Sequence, residues 1–98
     1  MLYTVTHWIN SVPCEEQGFN TIADAFACAA KWASQIDNDS TPPRFAFQRR
    51  WFSCQRQGIR ATEAVTIEKL YSDTRADYIR EIEYAKTFGY YTGKKEGF

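Results

Sequence analysis

From Thr21 to Ile36 the chain reads TIADAFACAAKWASQI, in which Ile22, Phe26, Ala29, Ala33 and Ile36 recur at helical spacing. Thr21 followed by Asp24 has the form of a capping box with Asp in place of the usual Glu, so a helix is expected from Ile22 to about Ile36. Its remaining positions include Ala23, Ala25, Ala27, Cys28, Ala30 and Trp32, which leaves Asp24, Lys31, Ser34 and Gln35 as a thin polar edge. A helix this apolar is either packed on two sides or offered to a partner. A chain of 98 residues forms one domain with one core, and the expectation is that this helix lies at its centre against a sheet.

The strands of that sheet are sought in alternation. Tyr3, Val5, His7 and Ile9 fall on one side of an extended segment and Thr4, Thr6 and Trp8 on the other, giving a first strand from Leu2 to Ile9. Asn10 to Gly18, with Pro13 and Gly18, is expected to break it. After the turn cluster Asp37 to Pro43, Arg44 to Phe52 reads as a second strand with Phe45, Phe47, Arg49 and Trp51 on its core face and Arg44, Arg50 and Phe52 exposed together. Ser53 to Gly58 is expected as a polar loop, and Val65 and Ile67 alternate with Thr66 and Glu68 in a third strand between Ile59 and Tyr71. Ser72 or Thr74 can cap a last helix with the stripe Tyr78, Ile79, Ile82, Ala85 and Phe88, ended by Gly89. The expected fold is therefore α+β, a single domain over residues 1–98 in the order βαββα, with two helices on one face of a mainly antiparallel sheet and residues 89–98 as a loosely held tail.

Charge is distributed unevenly. Net charge is zero, yet Pro42 to Thr62 carries five arginines, four large aromatics and no carboxylate. Arginine beside aromatic surface binds phosphates, stacked bases or an acidic protein groove through bidentate bonds and cation–π contact. Arg44, Arg49, Arg50, Arg56 and Arg60 are the candidate charge contacts, with Trp51 and Phe52 as aromatic anchors. The competing reading makes Phe45, Phe47 and Trp51 ordinary core and the arginines a solvated hairpin paired with Glu63, Glu68 or the acidic amino-terminal half. Asp73, Asp77 and Glu81 follow one another at four-residue spacing, an acidic ridge best read as a solvated helix face.

Little points to catalysis. Cys14, Cys28 and Cys54 match neither a disulfide framework nor a paired metal motif, so they are expected to be reduced, with Cys28 packed on its helix and Cys14 and Cys54 in loops. His7 beside a cysteine would make a nucleophile pair, and Cys54 lies between Arg50 and Arg56, but no orienting third residue or oxyanion motif accompanies them. His7 is expected as a strand residue satisfied by a neighbour. No cofactor or metal is expected. The first residues lack a basic n-region and no apolar run approaches a membrane span, which leads to the expectation of a soluble protein of the cytoplasm.

The layout, an opening strand from Leu2, an alanine-rich helix from Thr21, an aromatic strand FAFQRRWF and no assembled active site in so short a chain, resembles small bacteriophage-encoded accessory proteins of the anti-CRISPR type. That resemblance implies a non-enzymatic, stoichiometric inhibitor in the host cytoplasm that occludes the surface of a host protein or ribonucleoprotein complex. A DNA- or RNA-binding module using the same arginines is the alternative, and a small thiol-dependent enzyme a second one.

Overall fold

The computed structural model describes residues 2–36, 42–58, 60–70 and 75–92. It contains five strands and two helices: β1 (Tyr3–Ile9), β2 (Val12–Phe19), α1 (Ile22–Ser34), β3 (Ala46–Gln48), β4 (Trp51–Gln57), β5 (Thr62–Lys69) and α2 (Arg75–Thr87). The strands form one antiparallel sheet in the order β2-β1-β5-β4-β3. The class is α+β as expected, but the order is ββαβββα rather than βαββα.

Two strands were hidden from the pattern, for different reasons. Asn10 and Ser11 both take positive φ (49° and 66°), the geometry of a tight hairpin turn, and send the chain straight back as β2 instead of breaking it. β2 lies at the sheet edge with Val12 to Gln17 exposed, so it has no apolar alternation to read. Pro13 is tolerated there because an edge strand need not donate every backbone N–H, and the register shifts beside it between His7 and Trp8. The second departure is a turn at Arg49–Arg50, where Arg49 adopts φ 60°. It divides the expected strand Arg44 to Phe52 into β3 and β4 and brings Phe47 directly opposite Phe52. Phe52 is therefore core, Trp51 points to the other face, and Ser53 to Gln57 is strand rather than loop.

The core lies on one face of the sheet. Val5, Ile67, Phe52 and Phe47 stand in one row across β1, β5, β4 and β3, followed by His7, Val65 and Cys54 in the next. α1 covers this face through Ala25, Phe26, Ala29 and Ala33. Thr21 caps it, its hydroxyl accepting from the Asp24 N–H at 3.1 Å. Thr21→Ala is expected to cost about 1 kcal/mol, read as a shift of the urea midpoint without a change in slope. The ring of Phe26 lies 4.9 Å from Phe52 and 5.4 Å from Phe45, and stacks on Tyr90 at 4.9 Å.

α2 packs on the same face, with Tyr78 5.4 Å from Phe47. Its buried stripe is Tyr78, Glu81, Ile82 and Ala85, whereas Ile79 and Phe88 are exposed. Glu81 takes the inward place rather than a place on a solvated face because it has partners there: Tyr3 donates to Glu81 Oε2 at 2.6 Å and Lys69 Nζ to the same oxygen at 3.2 Å. The Ser72 and Thr74 caps and Asp73 lie outside the described residues. Gly89 ends the helix at φ 75°. Beyond it Tyr90 and Tyr91 return to the sheet: the Phe45 N–H donates to Tyr90 O at 2.6 Å and the Thr92 N–H to Phe45 O at 3.0 Å.

The Tyr3 and Glu81 pair also sets a pH dependence. Burial first, and the bond and charge of Glu81 second, hold the Tyr3 phenol well above its ordinary pKa of 10.0. The unfolded chain releases that proton near its ordinary value while the folded chain keeps it. The stabilisation is thus whole below about pH 10 and is lost as pH rises beyond it. Tyr3→Phe should flatten this alkaline decline in urea midpoints, leaving the smaller slope of Tyr84, whose phenol is raised chiefly by burial.

Candidate binding surface

With both helices on one face, the opposite face of the sheet carries Thr4, Thr6 and Trp8 from β1, Thr62, Ala64, Thr66 and Glu68 from β5, and Trp51, Ser53 and Gln55 from β4. None of the described helices covers it. Period-two alternation puts these residues there once Val5, Val65, Ile67, Phe52 and Cys54 turn to the core. Trp8 and Trp51 are half-buried by their neighbours. The Trp8 Nε1–H donates to Thr66 Oγ1 at 2.9 Å, which fixes its ring against the sheet.

The candidate arginines are divided among three places. Arg49 and Arg50 form the tip of the β3–β4 hairpin, both exposed, and Trp51 follows them onto the open face. Arg44 is exposed farther along that face and borders a depression of about 780 Å³ with Ala46, Gln48, Ser53, Gln55, Tyr91 and Thr92. Phe52 is 3% exposed and belongs to the core. Arg56 sits half-buried at the far end of β4, opposite Glu63, and Arg60 is exposed in the turn that follows. The extended course of β4 separates Arg50 from Arg56 by roughly 20 Å. The sequence run is thus no single patch: Arg49, Arg50 and Trp51 are contiguous at the hairpin, Arg44 shares the open face with Trp51 while Arg50 borders the core-side cleft beside Tyr3, Phe47 and Glu81, and Phe52, Arg56 and Arg60 stand apart.

Tyr91 was missed as a neighbour of Arg44, because the bridge between Phe45 and Tyr91 brings the segment that follows α2 to the sheet. Lys86 lies 5.6 Å from the centroid of the Tyr91 ring. Arg44 and Tyr91 stand 47 positions apart in the sequence, which hides their proximity.

The residues weighed for chemistry have structural partners. His7 Nε2 lies 2.7 Å from Glu63 Oε1, in a shallow cleft also lined by Glu15, Trp32 and Gln35. Cys54 is buried in the core rather than in a loop, Cys28 is half-buried with its thiol pKa raised chiefly by burial, and Cys14 is exposed on β2. Among the described residues no three His, Cys, Asp or Glu side chains converge as metal ligands, and no helix is long and apolar enough to cross a membrane. No protein-family model matches the chain, and neither a curated protein nor a solved structure matches it.

Proposed function

We propose that this is a non-enzymatic binding protein whose β3–β4 hairpin docks on an acidic surface of a larger complex, with Arg49 and Arg50 as charge contacts, Trp51 as aromatic anchor and Arg44 as a flanking contact. The observation that carries the reading is the backbone of Arg49. A φ of 60° is suited to glycine or asparagine, and arginine there costs the fold about 1 kcal/mol. An exposed side chain kept at such a position contributes nothing to the core, and strain of this kind clusters where a segment is held for binding. The neighbouring Arg50 doubles the charge at the tip.

The partner class follows from the resemblance to anti-CRISPR-type phage proteins: a host nucleic-acid-processing or defence complex in the bacterial cytoplasm, blocked stoichiometrically by occlusion of its surface. An acidic groove on such a complex is the surface that a two-arginine hairpin complements. The test is expression in a bacterium whose CRISPR immunity targets a plated phage. Plaquing of that phage should recover with the wild-type protein and stay suppressed with Arg49→Gly/Arg50→Ser. Unchanged plaquing in every CRISPR type tried, with the protein expressed and folded, would sink the inhibitor reading. Direct nucleic-acid binding would instead appear as an affinity falling steeply with salt.

A further inference from the structure

The open face holds a second depression, of about 600 Å³, at the opposite end from the arginine hairpin. Trp8 forms its wall, Ser53, Ala64 and Thr66 its floor, and Asn10, Ser11, Gln55 and Thr62 its rim. Glu63 also borders it, but its carboxylate is held by His7, which occupies the core-side face of β1. The side chains offered to the depression are therefore one indole, four hydroxyls and two carboxamides, with no charge among them.

From this lining we infer that the depression binds a neutral oligosaccharide. The C–H face of a pyranose ring is apolar and weakly positive, which complements the negative face of an indole. Sugar hydroxyls both donate and accept, as do the hydroxyls and carboxamides of the rim. A phosphate-bearing ligand would find no cation in this lining, and a purely apolar one would strand its polar groups.

The site is also prepared before any ligand arrives. The bond from Trp8 to Thr66 sets the ring plane. Ser11 stands at φ 66°, the turn position where glycine is least strained, and its side chain borders the depression. A residue that is unfavourable for the turn is thereby placed at the rim.

The test is an amide and indole nitrogen–proton NMR titration of the whole chain with chitotriose, maltotriose and cellotriose in turn, and with a hexathymidylate as the anionic comparison. At least one trisaccharide should shift the Trp8 indole and the Ser53, Gln55 and Thr62 amides saturably. The Trp32 indole, borne on α1 across the sheet, should stay in place. Trp8→Ala should weaken binding about tenfold or more. Because Trp8→Ala removes a half-buried ring, the exposed Gln55→Ala and the turn-compatible Ser11→Gly provide variants with an intact fold, and each should weaken binding severalfold. The inference is overturned if no trisaccharide produces these shifts, if they persist unchanged in Gln55→Ala and Ser11→Gly, or if only the hexathymidylate produces them.

Discussion

Phe26→Ala is expected to lower the unfolding free energy by about 3–5 kcal/mol, the largest effect of any single truncation in this core. The ring is fully buried and is the junction of both layers: it meets Phe52 and Phe45 of the sheet, Tyr84 of α2 and Tyr90 of the returning segment. Removing it opens a cavity with aromatic walls on several sides, and those rings cannot all move inward because their backbones are fixed by the sheet and by α2. Small domains have only about 5–15 kcal/mol in total, so the variant should be partly unfolded at physiological temperature. Phe26→Leu, which keeps most of the volume, should cost distinctly less. Urea titrations of the three proteins decide the matter, since a midpoint shift worth under about 1 kcal/mol for the alanine variant would show that Phe26 is not the junction of the core.

Arg49→Gly/Arg50→Ser is expected to act in opposite directions on stability and binding. Glycine relieves the left-handed backbone at the tip, so the domain should become more stable by roughly 0.5–1 kcal/mol. Two exposed charges that contact a partner should at the same time be missed by it. Interface arginines of the anchoring kind cost about 2 kcal/mol or more each when removed, which makes at least a 100-fold loss of affinity for the pair. A merely structural role for the tip could not produce this combination, because improved folding would then accompany unchanged binding. Arg56→Ala, at the far end of β4, should leave that binding intact.

The contrast between α1 and the hairpin shows where the sequence is legible. In α1 the capping threonine, the helical spacing and the dense run of alanines agree with one another, and the helix ends within two residues of the expectation. The strand β1 is equally plain, because Tyr3 and Val5 alternate with threonines on a sheet buried on one side, whereas β5 shows only the short alternation of Val65 and Ile67 with Thr66 and Glu68, and its bounds within Ile59 to Tyr71 require the pairing with β1 and β4. The Arg49–Arg50 turn has no glycine, proline or asparagine to announce it, and its tightness is imposed by the pairing of Phe47 with Phe52. Missing that turn reverses the face of every later residue in the segment, which is why Phe52 was expected at the surface and Trp51 in the core. Glu81 is a different case: three residues after Tyr78 it falls beside the apolar stripe, but a carboxylate is expected in solvent, and the bonds to Tyr3 and Lys69 that hold it inward depend on the sheet. The candidate surface was thus half legible. The residue types were visible in the sequence, but their partition between two ends of β4 required the strand pairing.

The most direct measurement of the central claim is a paired comparison of wild type and Arg49→Gly/Arg50→Ser on a purified CRISPR surveillance complex, following target-DNA binding as each protein is added. The wild-type protein should abolish DNA binding at a fixed molar ratio. The variant, equally or more stable to urea, should leave DNA binding intact. Equal inhibition by both proteins would contradict the assignment of the hairpin, and inhibition by neither, across the complexes that immunity assays single out, would contradict the inhibitor reading itself.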